Sequence, residues 1–303
     1  LLIHPKTRKG GSAMKTKGAR NALEVAMNIV FLICGLIAVA FVLFISVYLV
    51  LTGLPAIREI GLVEFLFGRE WASTAAEPKF GILPFILTSV YGTAGAILIG
   101  VPIGLFCAIF LAKVAPPKLT AVVRPAVDLL AGIPSVVYGL VGMIVLVPAV
   151  REWFHLPDGA SLFAAILVLA VMILPSIISV SETALKAVPP EYEEASLGLG
   201  TTWIETVFRV SVPAASSGIA ASVVLGIGRA IGEAMAILMV AGNVANMPSL
   251  FNSVKFLTTA VASEMSYSAG LQRQALFSIA LVLFLFIMLI NVILNTLLKG
   301  KKG

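Results

Sequence analysis

Arg229 and Glu233 are the residues of this chain whose types and spacing could do chemistry, because they stand four apart inside a long apolar run. A helix over Ala214–Ala241 puts both on one face with Ser222 and Gly226. Counted from Ala214, Arg229 lies ~22 Å along such a helix, at or beyond the bilayer midplane and too deep to snorkel to the near surface. Each charge costs about 2.5–3.5 kcal/mol at that depth on an insertion scale, so both should line a protein interior or an aqueous path. A guanidinium stays charged and can give two parallel hydrogen bonds to a tetrahedral oxyanion, while a nearby carboxylate prevents over-tight trapping and can accept a proton. The competing reading is structural: Arg and Glu at i, i+4 neutralise each other and hold helices together. Gly228-x-x-x-Gly232 on the same helix should let a neighbouring helix approach closely.

The elements that position this pair are membrane spans. Of 303 residues 59% are hydrophobic and 12% charged, and mean hydropathy is +1.06. Six apolar runs, approximately Val25–Leu54, Ile82–Ala112, Val122–Val150, Leu162–Val180, Ala214–Ala241 and Ala275–Leu298, are each long enough to cross a bilayer. The expected fold class is an all-α membrane protein with six transmembrane helices. Basic residues at Lys6–Arg20, Lys113, Lys118, Arg124, Lys186, Arg209 and Lys299–Lys302 fall on one side, against Arg58, Arg69, Lys79, Arg151, Lys255 and Arg273 on the other. The positive-inside rule therefore puts both termini and the loop before Ala214 in the cytoplasm. The net charge of +6 reflects these flanks, not nucleic-acid binding. Cys34 and Cys107 sit in apolar runs as small hydrophobes, and His4 and His155 are isolated. The sequence has no P-loop, no metal-spaced histidine pair and no nucleophile with a credible base, so no catalytic residue, metal or cofactor is expected.

Glu191–Pro213 is charged and helical between two apolar runs. Pro189 and Pro190 open it, Glu191, Glu193 and Glu194 suit a first turn, and Tyr192, Ala195 and Leu199 make one narrow apolar face. Gly198 and Gly200 can supply the left-handed turn that ends it, and Thr202 with Glu205 has capping-box spacing for a second helix. Glu194-Ala195-Ser196, then Gly200, then Val210-x-Val212-Pro213 resemble the EAA loop of ABC importer permeases, with Ser196 replacing the family's Ala and Val210 and Val212 its Ile and Leu. The tryptophan-containing outer loop at Gly68–Trp71, the FGILPFI start of the second apolar run at Phe80–Ile86, and Ala131–Gly139 are similar to phosphate-specific permeases of the PstC type. Leu87-Thr88-Ser89 departs from that pattern, so Thr88 is given no substrate role. Trp71 is expected at the membrane interface.

The glycines of the second and third runs predict close helix packing, and Pro134 predicts a kink whose lost hydrogen bond falls to neighbours or to side chains such as Ser135. Whether Ala131–Gly139 walls a transport path or only packs tightly stays open. Arg124 and Asp128 should form a local ion pair, and Asn243–Gln274 should contain short helices in an outer segment that either contacts a delivery protein or simply folds.

The resemblance implies a type I (MetI-like) permease that moves inorganic phosphate by alternating access across the plasma (inner) membrane of a bacterium or archaeon. Its partners would be a sister phosphate permease in a heterodimer, two cytoplasmic ATP-binding subunits and an extracytoplasmic phosphate-binding protein. It also implies that Glu191, Tyr192, Glu193, Glu194, Ala195, Leu199 and Gly200 meet the ATPase, that Arg229 and Glu233 meet phosphate, and that this chain is not itself an enzyme. A permease for sulfate or molybdate, a secondary anion transporter or channel, and an intramembrane enzyme remain as alternatives. The expected organisation is a cytoplasmic tail over 1–23, a permease domain over 24–298 with the coupling loop at about 182–213, and a short basic tail over 299–303. Residues 1–13, ahead of Met14, read as a candidate expression remnant, and no cleavable secretory signal is expected.

Overall fold

The structure, a computed structural model, describes residues 12–299, with side chains from 24 onward apart from a few near the C-terminal end. The basic residues Lys6, Arg8, Lys9, Lys301 and Lys302 lie outside the described residues. Among the described residues the regular structure is helical apart from one two-stranded ribbon and an isolated bridge between Gly242 and Val254. In order it forms α1 (Ser12–Ile60), α2 (Leu62–Phe67), β1 (Trp71–Ala72), β2 (Lys79–Phe80) and α3 (Leu83–Ile109), which runs into a π-helical turn at Phe110–Val114. Then come α4 (Pro117–Gly132), α5 (Ser135–Val141), a π-turn at Gly142–Leu146, α6 (Val147–Trp153) and α7 (Leu162–Lys186). The second half holds α8 (Pro190–Gly198), α9 (Trp203–Thr206), a π-turn at Val207–Ser211, α10 (Val212–Ala214), α11 (Ser216–Gly232), α12 (Met235–Val240), α13 (Leu257–Glu264) and α14 (Gly270–Lys299).

Among the described residues five helical stretches are long and apolar enough to cross a membrane: Glu24–Ile60, Leu83–Val114, Ser135–Trp153, Leu162–Lys186 and Gly270–Leu294. A sixth is a bent pair, Trp203–Ala214 with Ser216–Gly232, turned by 70° at Ala215. Two of the expected runs are therefore interrupted. The third run does not cross as one kinked helix: α4 ends at Gly132, and the span starts afresh at Ser135 behind Pro134. Proline disfavours helix in the residue before it, and Ile133 is extended at φ −68°, ψ 127°. The Tyr138 hydroxyl, not Ser135, takes up the freed Leu130 carbonyl at 2.7 Å.

The chain divides into two compact units, residues 1–51 and 52–303. The first is described from Ser12 onward as continuous helix. In the second, α7 is the axis: 61% of its apolar window is buried, against 22% for the last span. Its hydroxyl cap at Ser161 accepts from the Ala164 amide, and its face of Leu169, Met172, Ile173 and Ile177 packs into α3, α11 and α12. Glycine makes these approaches possible, as expected. A side chain at Gly100 would press on Ile173, and one at Gly139 would lie 2.7 Å from the Ala236 backbone. A second cluster joins α2, the start of α3, α13 and α14 around Phe65, Phe85, Leu257 and Leu276. A third, smaller one joins the end of α3 and of α7 to the α9–α10 region through Ile109, Leu185, Val188, Val207 and Ala215.

Candidate functional site

Two polar constellations lie in the second unit at opposite ends of α11. The inner one is Arg229 and Glu233. The helix that carries Arg229 stops at Gly232, and Glu233 is extended at φ −73°, ψ 130°, with α12 beginning two residues later. The continuous helix over Ala214–Ala241 and the four-residue stripe ending at Glu233 are therefore corrected. Arg229 closes the last turn of α11, where a cation suits the free carbonyls, and its Nη1 donates to Ser176 Oγ at 3.4 Å. Glu233 accepts from the Ala236 amide at 3.0 Å, so its carboxylate caps α12, while its carbonyl receives the Thr258 hydroxyl at 2.7 Å. No ion pair among the described residues joins Arg229 to Glu233. Both are half-buried. The reading in which the two merely neutralise each other does not describe this geometry. The Gly228–Gly232 surface is open, since a side chain built at either glycine meets nothing within 4 Å among the described residues.

The second constellation surrounds α8. Its first turn holds Glu191 and Glu193, and Gly200 follows with φ +90°, the left-handed conformation that ends the helix; Gly198 is still helical. The capping box forms as predicted, with the Thr202 hydroxyl accepting from the Glu205 amide and the Glu205 carboxylate accepting from the Thr202 amide. Glu191, Tyr192, Glu194, Ala195, Leu199 and Gly200 are exposed, Tyr192 by 56% and Leu199 by 87%. Glu193 is not among them. It turns inward to the Lys113 ammonium at 2.5 Å and accepts from the Ser211 hydroxyl at 2.6 Å. Burial pushes the Glu193 carboxyl up, but hydrogen bonds from Lys113 and Ser211 with the Lys113 charge outweigh it and hold the group below the ordinary carboxylate value.

Sequence reasoning placed other charges less well. Arg124 does not pair with Asp128. Its Nη1 lies 3.7 Å from Glu182, a buried carboxylate that also takes Lys186 at 2.5 Å. On the outer side by the charge pattern, Trp71 Nε1 donates at 3.2 Å to Glu264, which also pairs with Lys255 and accepts from Ser73 and Gln272. Trp71 thus fastens the first outer loop to α13, with its ring edge-on to Phe80 at 5.5 Å. A 370 Å³ recess opens beside these groups. The paired charges at Lys255 and Glu264 were the available signal for this network, but nothing in the sequence tied them to Trp71. Thr88 is fully buried and its hydroxyl has no hydrogen-bond partner. The short helices expected in the outer segment are represented by α13.

Comparison with known proteins gives a consistent result. Residues 100–300 match the family described as binding-protein-dependent transport system inner membrane component. The chain is 39% identical over 277 residues to the probable ABC transporter permease protein YqgH of Bacillus subtilis, covering 88% of this chain and 90% of that protein. It is 36% identical over 283 residues to the phosphate transport system permease protein PstC of Haemophilus influenzae, covering 86% and 89%. Among solved structures, an inward-facing methionine ABC transporter superposes with a TM-score of 0.58 at 20% identity, covering 72% of this chain and 95% of that one, which shows a shared fold.

Proposed function

We propose that this chain, which belongs to the family of binding-protein-dependent transport system inner membrane components and is the multi-pass permease subunit of an ABC importer, carries inorganic phosphate inward. Subunits of this family are not enzymes themselves, and ATP hydrolysis belongs to separate ATPase subunits. The observation that carries the phosphate reading is the 36% identity to a phosphate permease along most of both chains. The chemistry of Arg229 supports it. Its guanidinium sits at a helix end beside a break in the span, gives one long hydrogen bond to a neutral hydroxyl among the described residues, and is not consumed by Glu233. A fork left in this state suits a passing oxyanion, and unwound backbone within a span is tolerated where it lines a cavity.

In this reading both termini are cytoplasmic in a bacterial or archaeal plasma membrane, and the exposed Tyr192, Ala195 and Leu199 face, with Glu191 and Glu194, docks on an ATP-binding subunit. Two such subunits, a sister phosphate permease and an extracytoplasmic phosphate-binding protein complete the importer. Closure of the ATPases shifts α8, and the permease pair opens outward to receive phosphate. The test is reconstitution of the complex in liposomes with labelled phosphate outside and with sulfate and molybdate as competitors. ATP-dependent phosphate uptake that neither competitor suppresses is expected. Uptake of sulfate or molybdate in place of phosphate overturns the substrate assignment.

A further inference from the structure

The face of α8 that looks away from its exposed apolar stripe is polar and closed. Glu193 is bound there by two groups from different parts of the chain, Lys113 and Ser211, and the Lys113 and Glu193 side chains are only 9% and 11% exposed. Each partner stands in a π-helical turn. Lys113 belongs to Phe110–Val114 at the end of α3, and Ser211 closes Val207–Ser211 ahead of α10. A π-turn within an α-helix costs regular hydrogen bonding and is found mostly where function demands it. Two further ties cross the same junction: Trp203 Nε1 donates to the Lys113 carbonyl at 3.1 Å, and Ser196 shares its hydroxyl with Thr201 and the buried Thr206 at 2.8 and 3.0 Å. An apolar pad of Ile109, Leu185, Val188 and Val207 lies in the same junction. The nearest break in the chain beyond it is the 70° bend at Ala215, from which α11 leads to Arg229.

We propose that the Lys113–Glu193–Ser211 cluster is the transmission joint of the permease: it locks α8 to the π-turns at the end of α3 and between α9 and α10, so a displacement of α8 is delivered to both spans as one rigid body and is released at Ala215. This deepens the reading of α8 as the ATPase-docking element and rests on it. Lys113, Glu193 and Ser211 are positioning residues, acting through the helices they join. A buried ion pair with one partner removed leaves an uncompensated charge, so the joint loosens when either member is neutralised. Arginine in place of lysine keeps the charge and the donors.

The experiment uses the reconstituted complex with its ATPases, carrying Lys113→Met, Glu193→Gln, Lys113→Arg or Ser211→Ala. Copurification of the ATPases reports docking, and phosphate moved per ATP hydrolysed reports transmission. Docking at the wild-type level is expected throughout. Phosphate per ATP should fall roughly tenfold for Lys113→Met and Glu193→Gln, in the range of ordinary coupling free energies, about twofold for Ser211→Ala, and stay near wild type for Lys113→Arg. Spin labels at positions 114 and 197, in a background with Cys34 and Cys107 replaced by Ser, read the joint without reference to substrate. Their separation should stay fixed through the nucleotide cycle in the otherwise unaltered complex and change in Glu193→Gln. Wild-type coupling in Lys113→Met and Glu193→Gln, a label separation that changes equally with and without Glu193, or losses that track lost assembly with Lys113→Arg no better than Lys113→Met each overturn the joint. A complex that moves no phosphate before any of these substitutions overturns the substrate reading instead, and the label distances still decide the joint.

Discussion

The two ends of α11 treat charge in opposite ways. At the α8 end, Glu193 and Lys113 are buried, 2.5 Å apart, and a third group completes the carboxylate's hydrogen bonding. At the other end, Arg229 and Glu233 are half-buried, do not pair, and each uses part of its capacity on neighbours: one 3.4 Å bond to Ser176, one cap on Ala236. A buried pair with complete hydrogen bonding fixes geometry, because breaking it leaves an uncompensated charge at a cost of about 3–5 kcal/mol. A half-satisfied pair keeps capacity for a ligand. In the proposed reading the contrast separates a part that holds from a part that binds and releases. Proximity in sequence does not predict which is which: Arg229 and Glu233 are four residues apart, while Lys113 and Glu193 come from opposite sides of α7 in chain order.

The sharpest way to break this comparison is Arg229→Gln. If two charge-assisted hydrogen bonds to phosphate are lost, each worth about 1.5–3 kcal/mol, labelled-phosphate uptake by the reconstituted complex should fall by roughly 10²-fold or more. Assembly with the ATPases should persist, since Arg229 makes no buried ion pair. Arg229→Lys keeps the cation but loses the planar fork and should fall between. Wild-type uptake in Arg229→Gln would remove Arg229 from the path and leave it as the end of α11.

Next in size are substitutions on the exposed side of α8. Glu194→Lys reverses a charge at the proposed docking face, and Gly200→Pro cannot hold φ +90°. Both should insert normally in the membrane and lower ATP-driven uptake by roughly tenfold, on the scale of a coupling free energy. Normal uptake in either would reassign α8 as a simple connection and detach the buried joint from its proposed load.

These elements also show what the chain makes legible. The α8 region could be read closely because its signals are local: a proline opening, acidic first turn, left-handed Gly200 and a capping box at Thr202–Glu205 all act within a few residues. The break after Gly232 was missed because the apolar pattern runs on through Met235–Val240 and hydrophobicity alone cannot register a lost turn. Gly232 followed by a residue able to cap was the signal available. The Lys113–Glu193 pair and the Arg124–Glu182 contact were missed for a different reason. The first is set by how the end of α3 meets α8 and the second by how α4 packs on α7, and the i, i+4 rule favours the nearby Asp128 over a carboxylate brought in from another helix.

Glu233→Gln sharpens the comparison at smaller amplitude. Glutamine keeps an acceptor for the Ala236 amide, so the cap on α12 should survive with stability altered by less than about 1 kcal/mol. Any change in uptake then reports the carboxylate's charge near Arg229. We expect a reduction of a few-fold, on the scale of one modest electrostatic interaction, with thermal unfolding of the complex unchanged. A large fall in unfolding temperature would make Glu233 a structural residue like Glu193.

The smallest expected effect is that of pH on the buried joint, and its smallness is the point. The folded Glu193 carboxyl is held below its ordinary value because the Lys113 and Ser211 bonds outweigh the opposing effect of burial. A depressed carboxylate contributes stability that is fully present above its unfolded pKa and is lost only as pH falls through the lower folded value. Across about pH 5 to 8, above the reference carboxylate range, Glu193 therefore stays ionised in both folded and unfolded chains and adds no slope. Lys113→Met removes the ammonium that helps keep the pKa low and leaves burial opposed only by the Ser211 hydrogen bond, so the Glu193 carboxyl moves up. Coupling in that variant should then acquire a pH dependence at the acidic end of this range that the unaltered complex lacks. Phosphate moved per ATP, measured at several pH values in Lys113→Met and in Lys113→Met with Glu193→Gln, isolates the effect, since the second variant has no carboxyl to titrate. If the two variants share one pH profile, Glu193 does not titrate in the joint, and the low pKa is a property of its surroundings without consequence for transmission.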